Sequence, residues 1–146
     1  MVIAPALLDD VIAHARAEYD AECCGMIACK QDGDDTRRAV RVHLATNVFA
    51  GEQDAAGNDR GRKRFEIDGK EVLRALNEFE EAGLDLGAIY HSHTHTAPYP
   101  SQTDINFAAK WPGIEWVIVG LATGEPEVRS YLIEEGEVRE VPLEVR

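Results

Sequence analysis

The stretch that most limits how this chain can fold runs from Ala88 to Asp104 and reads A-I-Y-H-S-H-T-H-T-A-P-Y-P-S-Q-T-D. The apolar run from Leu86 to Tyr90 leads into it after Gly83, which fits a buried strand better than a helix. Side chains alternate faces along a strand, so His91 and His93 point one way and Ser92 the other. Pro98 and Pro100 cannot donate to a ladder, so the strand breaks up before them. A chain that turns through Ala97 to Pro100 can bring Asp104, in the first turn of the next helix, back over the histidines.

Two imidazoles two residues apart on a rigid strand can share one metal ion, and imidazole nitrogen is a preferred zinc ligand. Catalytic zinc takes three protein ligands and keeps a fourth position open. His95 continues the alternation, but on a straight strand it lies about 13 Å from His91, at roughly 3.3 Å per residue. Asp104 is the better third ligand, since two histidines and a carboxylate form a known hydrolytic set. Ser101-Gln102-Thr103-Asp104 ahead of Ile105 and Phe107 also reads as the capping box of an ordinary helix.

The joint spacing of His91-x-His93, seven residues, Ser101, two residues and Asp104 resembles the signature of the JAMM (MPN-plus) zinc metalloprotease family. Upstream, Asp20-Ala21-Glu22-Cys23-Cys24-Gly25 looks like that family's Glu-x-Cys-Gly element, and the likeness covers nearly the whole chain. The resemblance implies that His91, His93 and Asp104 hold one Zn2+ per chain, that Glu22 is the general acid/base and that Ser101 hydrogen-bonds the developing oxyanion. It also implies a cytidine-deaminase-like layered α/β fold, with a mixed β-sheet flanked by helices. The implied activity is that of a peptidase or isopeptidase cutting after the C-terminal glycine of a ubiquitin-like protein. Tyr90 to Thr94 and Ala97 to Ser101 look most like the small bacterial members that release cysteine from a sulfur-carrier protein. Two alternatives stand beside this one: an isopeptidase acting on lysine conjugates, and the non-catalytic, metal-less scaffold branch, which lacks the ligands present here. Thr94 stands where many members carry proline, and homodimers are common in the family.

A chain of 146 residues buries one core, so residues 1–146 are expected to form one domain. Its net charge of -12 argues against nucleic acid as a partner, because phosphate binding needs clustered Lys and Arg. No apolar run approaches the ~20 residues that span a bilayer, and Met1 to Pro5 lacks the pattern of a secretory signal. Cys23, Cys24 and Cys29 lack zinc-knuckle spacing and read as buried thiols in a reducing compartment, so a cytoplasmic protein is expected. His-Glu-x-x-His is absent, as is the deaminase pair of His-x-Glu and Pro-Cys-x-x-Cys.

Along the chain, Leu7, Leu8, Val11, Ile12 and Ala15 predict a helix from Pro5 to about Tyr19, with His14 on its exposed side. Glu22 falls in a short connection before a strand at Gly25 to Cys29, and Lys30 to Thr36 reads as a polar turn. Val40, Val42 and Leu44 alternate with Arg41 and His43, predicting a strand with one wet face. Asn47 to Lys63 is irregular, and a loop of that length in a small domain is functional or disordered. In the family the corresponding insertion helps grip the substrate's tail, and Arg60, Arg62, Lys63 and Arg64 make a basic cluster suited to an acidic carrier protein. A short strand at Arg64 to Ile67 and a helix capped by Asp68, with Val72, Leu73, Leu76 and Phe79 as its apolar stripe, precede the histidine strand. A short helix after Asp104 ends at Trp111 to Gly113, Ile114 to Leu121 predicts a central strand, and Val128 to Ile133 with Val138 to Leu143 predicts a hairpin. The family's second insertion has no room between Phe107 and Ile114, which argues against polyubiquitin editing.

Overall fold

The computed structural model describes residues 1–33 and 35–146; Asp34, inside the expected polar turn, lies outside the described residues. The chain runs β1 (Val2–Ile3), α1 (Pro5–Glu18), β2 (Cys24–Gln31), β3 (Arg37–Ala45), α2 (Gly69–Glu81), β4 (Asp85–His93) and α3 (Gln102–Ala108). It closes with β5 (Glu115–Gly120), β6 (Glu127–Glu134), β7 (Glu137–Val141) and β8 (Glu144–Val145). Among the described residues these strands form one eight-stranded sheet in the order β7-β6-β5-β4-β2-β3-β1-β8. The sheet is mixed: β4 is parallel to β5 and β1 is parallel to β3 and β8, while β2 is antiparallel to both its neighbours.

Strand alternation divides the core into two layers. On one face Ile27, Ala88, Tyr90, Val117 and Val119 pack against Val11 and Ala15, the inner stripe of α1. On the other, Met26 and Ala28 meet Ala75 and Phe79 of α2, and Ile89, Trp116 and Ile118 meet Ala108 of α3. The result is helix, sheet, helix, the layered α/β arrangement expected. His91 and His93 share the parity of Ile89, so they emerge on the face that α2 and α3 cover.

Two close approaches shape this frame. Gly25 pairs with Tyr90 across the β2–β4 ladder, and a Cβ on Gly25 would lie 2.2 Å from the tyrosine ring. A side chain there would displace Tyr90, whose hydroxyl meets Nδ1 of His14 at 2.7 Å. Between β6 and β7 the two-residue turn has φ of 52° at Glu135 and 79° at Gly136, the left-handed pair that a tight hairpin requires.

Four expectations are corrected. The His14 side chain is 8% exposed and packs on Tyr90, so α1 buries a wider stripe than its aliphatic residues alone indicate. In β3 a register shift opposite Ala28 and Cys29 leaves Val40 without a partner, so the strand lacks one consistently wet face. Val40 and Leu44 are exposed, and His43 is half-buried with Nε2 2.7 Å from Glu71 of α2. Arg64 to Ile67 forms no strand; Val48 N–H donates to the Glu66 carbonyl at 3.0 Å, and the Asn47 side chain donates to the Arg64 carbonyl at 3.0 Å and accepts from Glu66 N–H at 3.3 Å. Nor does the polar turn begin at Lys30, because β2 continues through Gln31. No helix among the described residues is long and apolar enough to cross a membrane.

Candidate metal centre

β4 ends at His93, and the chain then turns back on itself through Pro98 and Pro100. Two contacts hold that turn against the sheet. The Tyr131 hydroxyl donates to the Pro98 carbonyl at 2.5 Å, and the Pro98 ring lies where a Cβ on Gly120 would come within 2.8 Å. The turn delivers Ser101 as the N-cap of α3 and Asp104 in its first turn. The capping box is formed: Ser101 Oγ accepts from Asp104 N–H at 3.1 Å, and Asp104 Oδ2 accepts from Ser101 N–H at 2.9 Å.

That same Oδ2 faces the histidines, 3.1 Å from Nε2 of His91 and 3.2 Å from Nε2 of His93, which are 3.1 Å from each other. All three residues are buried. Zinc bonds of roughly 2.0–2.1 Å in a tetrahedron place neighbouring donor atoms about 3.3 Å apart, so this triangle has nearly the dimensions of one tetrahedral face.

The tautomer of His93 also suits a cation. His93 Nδ1 meets the Ala97 carbonyl at 2.8 Å, which fixes Nδ1 as the donor and turns the bare Nε2 inward. Burial holds His91 below the ordinary imidazole range. Its Nδ1 has no hydrogen-bond partner among the described residues; instead the Phe65 ring stacks on it with centroids 4.6 Å apart. Burial alone would raise the Asp104 carboxyl, but the facing His91, the close contacts with both imidazoles and the hydrogen bond from Ser101 N–H hold it well below the usual carboxylate range. One carboxylate and two imidazoles, all aimed at one point, form a donor set that fits zinc.

Glu22 sits beside this triangle, between α1 and β2, and is 6% exposed. Ser92, between the two histidines but facing the other way, anchors the residue next to it. Ser92 Oγ accepts from Cys23 N–H at 2.8 Å, and Ser92 N–H donates to the Cys23 carbonyl at 3.2 Å. The Glu22 carboxylate makes no hydrogen bond or ion pair with a described residue. Its pKa is pushed up to about 8 by burial, with nearby His93 opposing and Asp104 adding to the rise.

The structure thus brings His91, His93 and Asp104 to one point, with Glu22 beside them and Ser101 at the exposed start of α3. His95 lies apart from the triangle, its Nε2 2.6 Å from Asp20. Sequence reasoning missed Phe65 as the ring packed on His91; nothing in its local pattern marks it. The three cysteines are buried, and burial pushes each thiol up, so none is an activated nucleophile.

The family described as prokaryotic homologs of the JAB domain matches residues 4–134. A CysO-cysteine peptidase of Mycobacterium tuberculosis is 33% identical over 148 aligned positions, covering 99% of this chain and 90% of that protein. A desampylase of Haloferax volcanii is 35% identical over 115 positions, covering 75% of this chain and 73% of that protein. Among solved structures, a protein from Desulfitobacterium hafniense superposes with a TM-score of 0.82 at 27% identity, covering 99% of this chain and 92% of that one. The matched span takes in Glu22, both histidines, Ser101 and Asp104, and the chain belongs to the JAB (MPN) domain family.

Proposed function

We propose that this protein is a zinc-dependent hydrolase that cleaves the amide bond after the C-terminal glycine of a ubiquitin-like or sulfur-carrier protein, releasing cysteine from a carrier adduct. One observation carries the reading: three donor atoms stand 3.1–3.2 Å apart, next to a buried acid whose carboxylate has no hydrogen-bond partner among the described residues. His91, His93 and Asp104 would hold one Zn2+ per chain. When bound, zinc supplies a Lewis acid that polarises the scissile carbonyl and acidifies water.

Glu22 takes the proton of the attacking water and returns it to the leaving amine nitrogen. Burial raises the proton affinity of Glu22, which suits the donating step, and the charge of a bound cation would draw it back toward the carboxylate that the accepting step needs. Ser101 Oγ spends its lone pair on Asp104 N–H, which leaves its own O–H free to donate to the developing oxyanion. Such a preorganised donor is worth roughly 3–4 kcal/mol in the transition state. Capping and catalysis are therefore compatible at Ser101.

A groove of about 640 Å³ lies between α2 and α3, lined by Phe65, Ile67, Val72, Leu76, Ile89 and Trp111. Phe65 belongs both to this groove and to the His91 stack, which sets the groove beside the candidate centre. In the insertion, Arg60 and Arg64 flank the Phe49 ring at 4.9 and 4.3 Å, which makes a positive rim for an acidic carrier.

The test presents zinc-loaded protein with a sulfur-carrier protein extended by one cysteine and, separately, with a lysine-linked ubiquitin-like conjugate, and follows both by mass spectrometry. Cleavage of the first, abolished by Glu22→Gln, is expected. Cleavage of the second alone would establish the isopeptidase reading, which the named activity of the Haloferax relative supports. Cleavage of neither would overturn the proposal.

A further inference from the structure

Glu22 is held on its two sides by different parts of the chain. On the C-terminal side the attachment is to β4, through the paired bonds of Cys23 and Ser92. On the N-terminal side it is to the insertion. Glu22 N–H donates to the Gly61 carbonyl at 2.6 Å, and Asp20 Oδ2 lies 2.6 Å from Arg62 Nε. Asn47 Nδ2 closes the loop by donating to the carbonyls of Glu22 and Arg64, both at 3.0 Å. Gly61 is packed tightly enough that a Cβ would lie 3.0 Å from Ala50 Cα and 3.1 Å from Ala21 Cβ.

Arg62 is in turn tied to the end of the histidine strand. The hydroxyl of Thr94, which is 2% exposed and follows His93 directly, donates to the Arg62 carbonyl at 3.3 Å. His95 Nε2 lies 2.6 Å from Asp20 Oδ1 and 3.0 Å from Arg62 Nη2. One ring nitrogen cannot donate and accept at once, so the shorter contact sets the tautomer and Nε2–H donates to Asp20.

We propose that Gly61 and Arg62 form a bridge between the end of β4 and the Glu22 connection, and that Thr94, Arg62 and Asp20 are positioning residues that set the reach of Glu22. The inference rests on Glu22 being the acid/base of the reading above. A buried carboxylate with no hydrogen bond of its own has only its backbone anchors to fix it. Proton transfer requires hydrogen-bond reach, and an error of about 1 Å at a reacting group can cost about 100-fold in rate. Ser92 secures one anchor within the sheet; the other is the two-residue bridge, which the Thr94 hydroxyl ties to the end of β4.

The experiment compares zinc-loaded wild type with Thr94→Val, Thr94→Ser, Asp20→Asn and Glu22→Gln. The substrate is a sulfur-carrier protein extended by one cysteine; zinc content, melting temperature and amide hydrogen exchange are recorded beside kcat and KM. Thr94→Val and Asp20→Asn should each lower kcat about five- to thirtyfold, with KM within about twofold and zinc content unchanged. Exchange at residues 20–23 should quicken in both without substrate, and Thr94→Ser should restore kcat to within about twofold of wild type. A raised KM at wild-type kcat would make the cluster a carrier contact and overturn the proposal. So would kcat losses that track zinc content or melting temperature, or wild-type kcat in both variants while Glu22→Gln is inactive. If Glu22→Gln turns over at the wild-type rate, the acid/base reading has failed, a result separable from failure of the bridge because only the latter leaves Glu22→Gln inactive.

Discussion

Glu22 and Glu115 are equally buried, each 6% exposed, and lie at opposite ends of the sheet. Glu115 opens β5 and is fully engaged: the Ser130 hydroxyl donates to it at 2.8 Å, and Arg37 and the Met1 amine stand 3.6 and 3.5 Å away. Among the described residues Glu22 has no such partner, and burial raises its proton affinity. Taking a carboxylate out of water costs several kcal/mol unless it is paired or protonated. At one end of the sheet the fold meets that cost with partners. At the other it leaves the acid poised to exchange a proton.

Several changes should break this contrast, the largest through the centre beside Glu22. His93→Ala or Asp104→Ala should abolish stoichiometric zinc and lower turnover about 1000-fold or more, measured by metal analysis and carrier cleavage. Asp104→Glu should do nearly the same, since a displaced carboxylate still caps a helix but misses the triangle. Next, Glu22→Gln should keep its zinc yet lose about 100- to 10,000-fold in kcat, whereas Glu115→Gln should leave kcat within about twofold.

A pH series sharpens the same pair without an activity assay. A carboxyl whose folded pKa is raised gives stability that is full below its ordinary 4.5 and lost as pH climbs through about 8. Metal-free Glu22→Gln should therefore match wild type in acid and exceed it by a few kcal/mol above pH 8, since each tenfold change in proton affinity is worth roughly 1.4 kcal/mol. Glu115→Ala should instead lose roughly 1–3 kcal/mol by denaturant titration, from the partners it strands. The smallest expected effect lies on the rim. Replacing Arg60, Lys63 and Arg64 by Gln should raise KM about three- to tenfold at low salt and scarcely at high salt, as steering by exposed charge requires.

What could be read from residues alone was whatever local pattern controls. The strand carrying His91 and His93, α1, α2 and the β6–β7 hairpin all follow from period and turn chemistry. The misses share a different cause. β1 and β8 are two residues each and exist only by pairing with parts of the chain far away in sequence. Arg64 to Ile67 has strand-like residues but no neighbour to pair with. His14 is polar in a helix, yet Tyr90 offers its ring nitrogen a buried hydroxyl. Phe65 enters the site only because the insertion folds back over β4. At the candidate centre the histidine spacing was visible, while the backbone anchors around Glu22 could not be, because carbonyls such as that of Gly61 leave no mark in a sequence.

Asp104 Oδ2 answers to two masters, the opening turn of α3 and the point where the imidazoles meet. On the zinc reading, a descendant that no longer bound the ion would still need the aspartate to begin the helix, so Ser-x-x-Asp should outlive the chemistry. Inactive relatives ought to be betrayed first by their histidines, whose place at the end of a strand no helix defends.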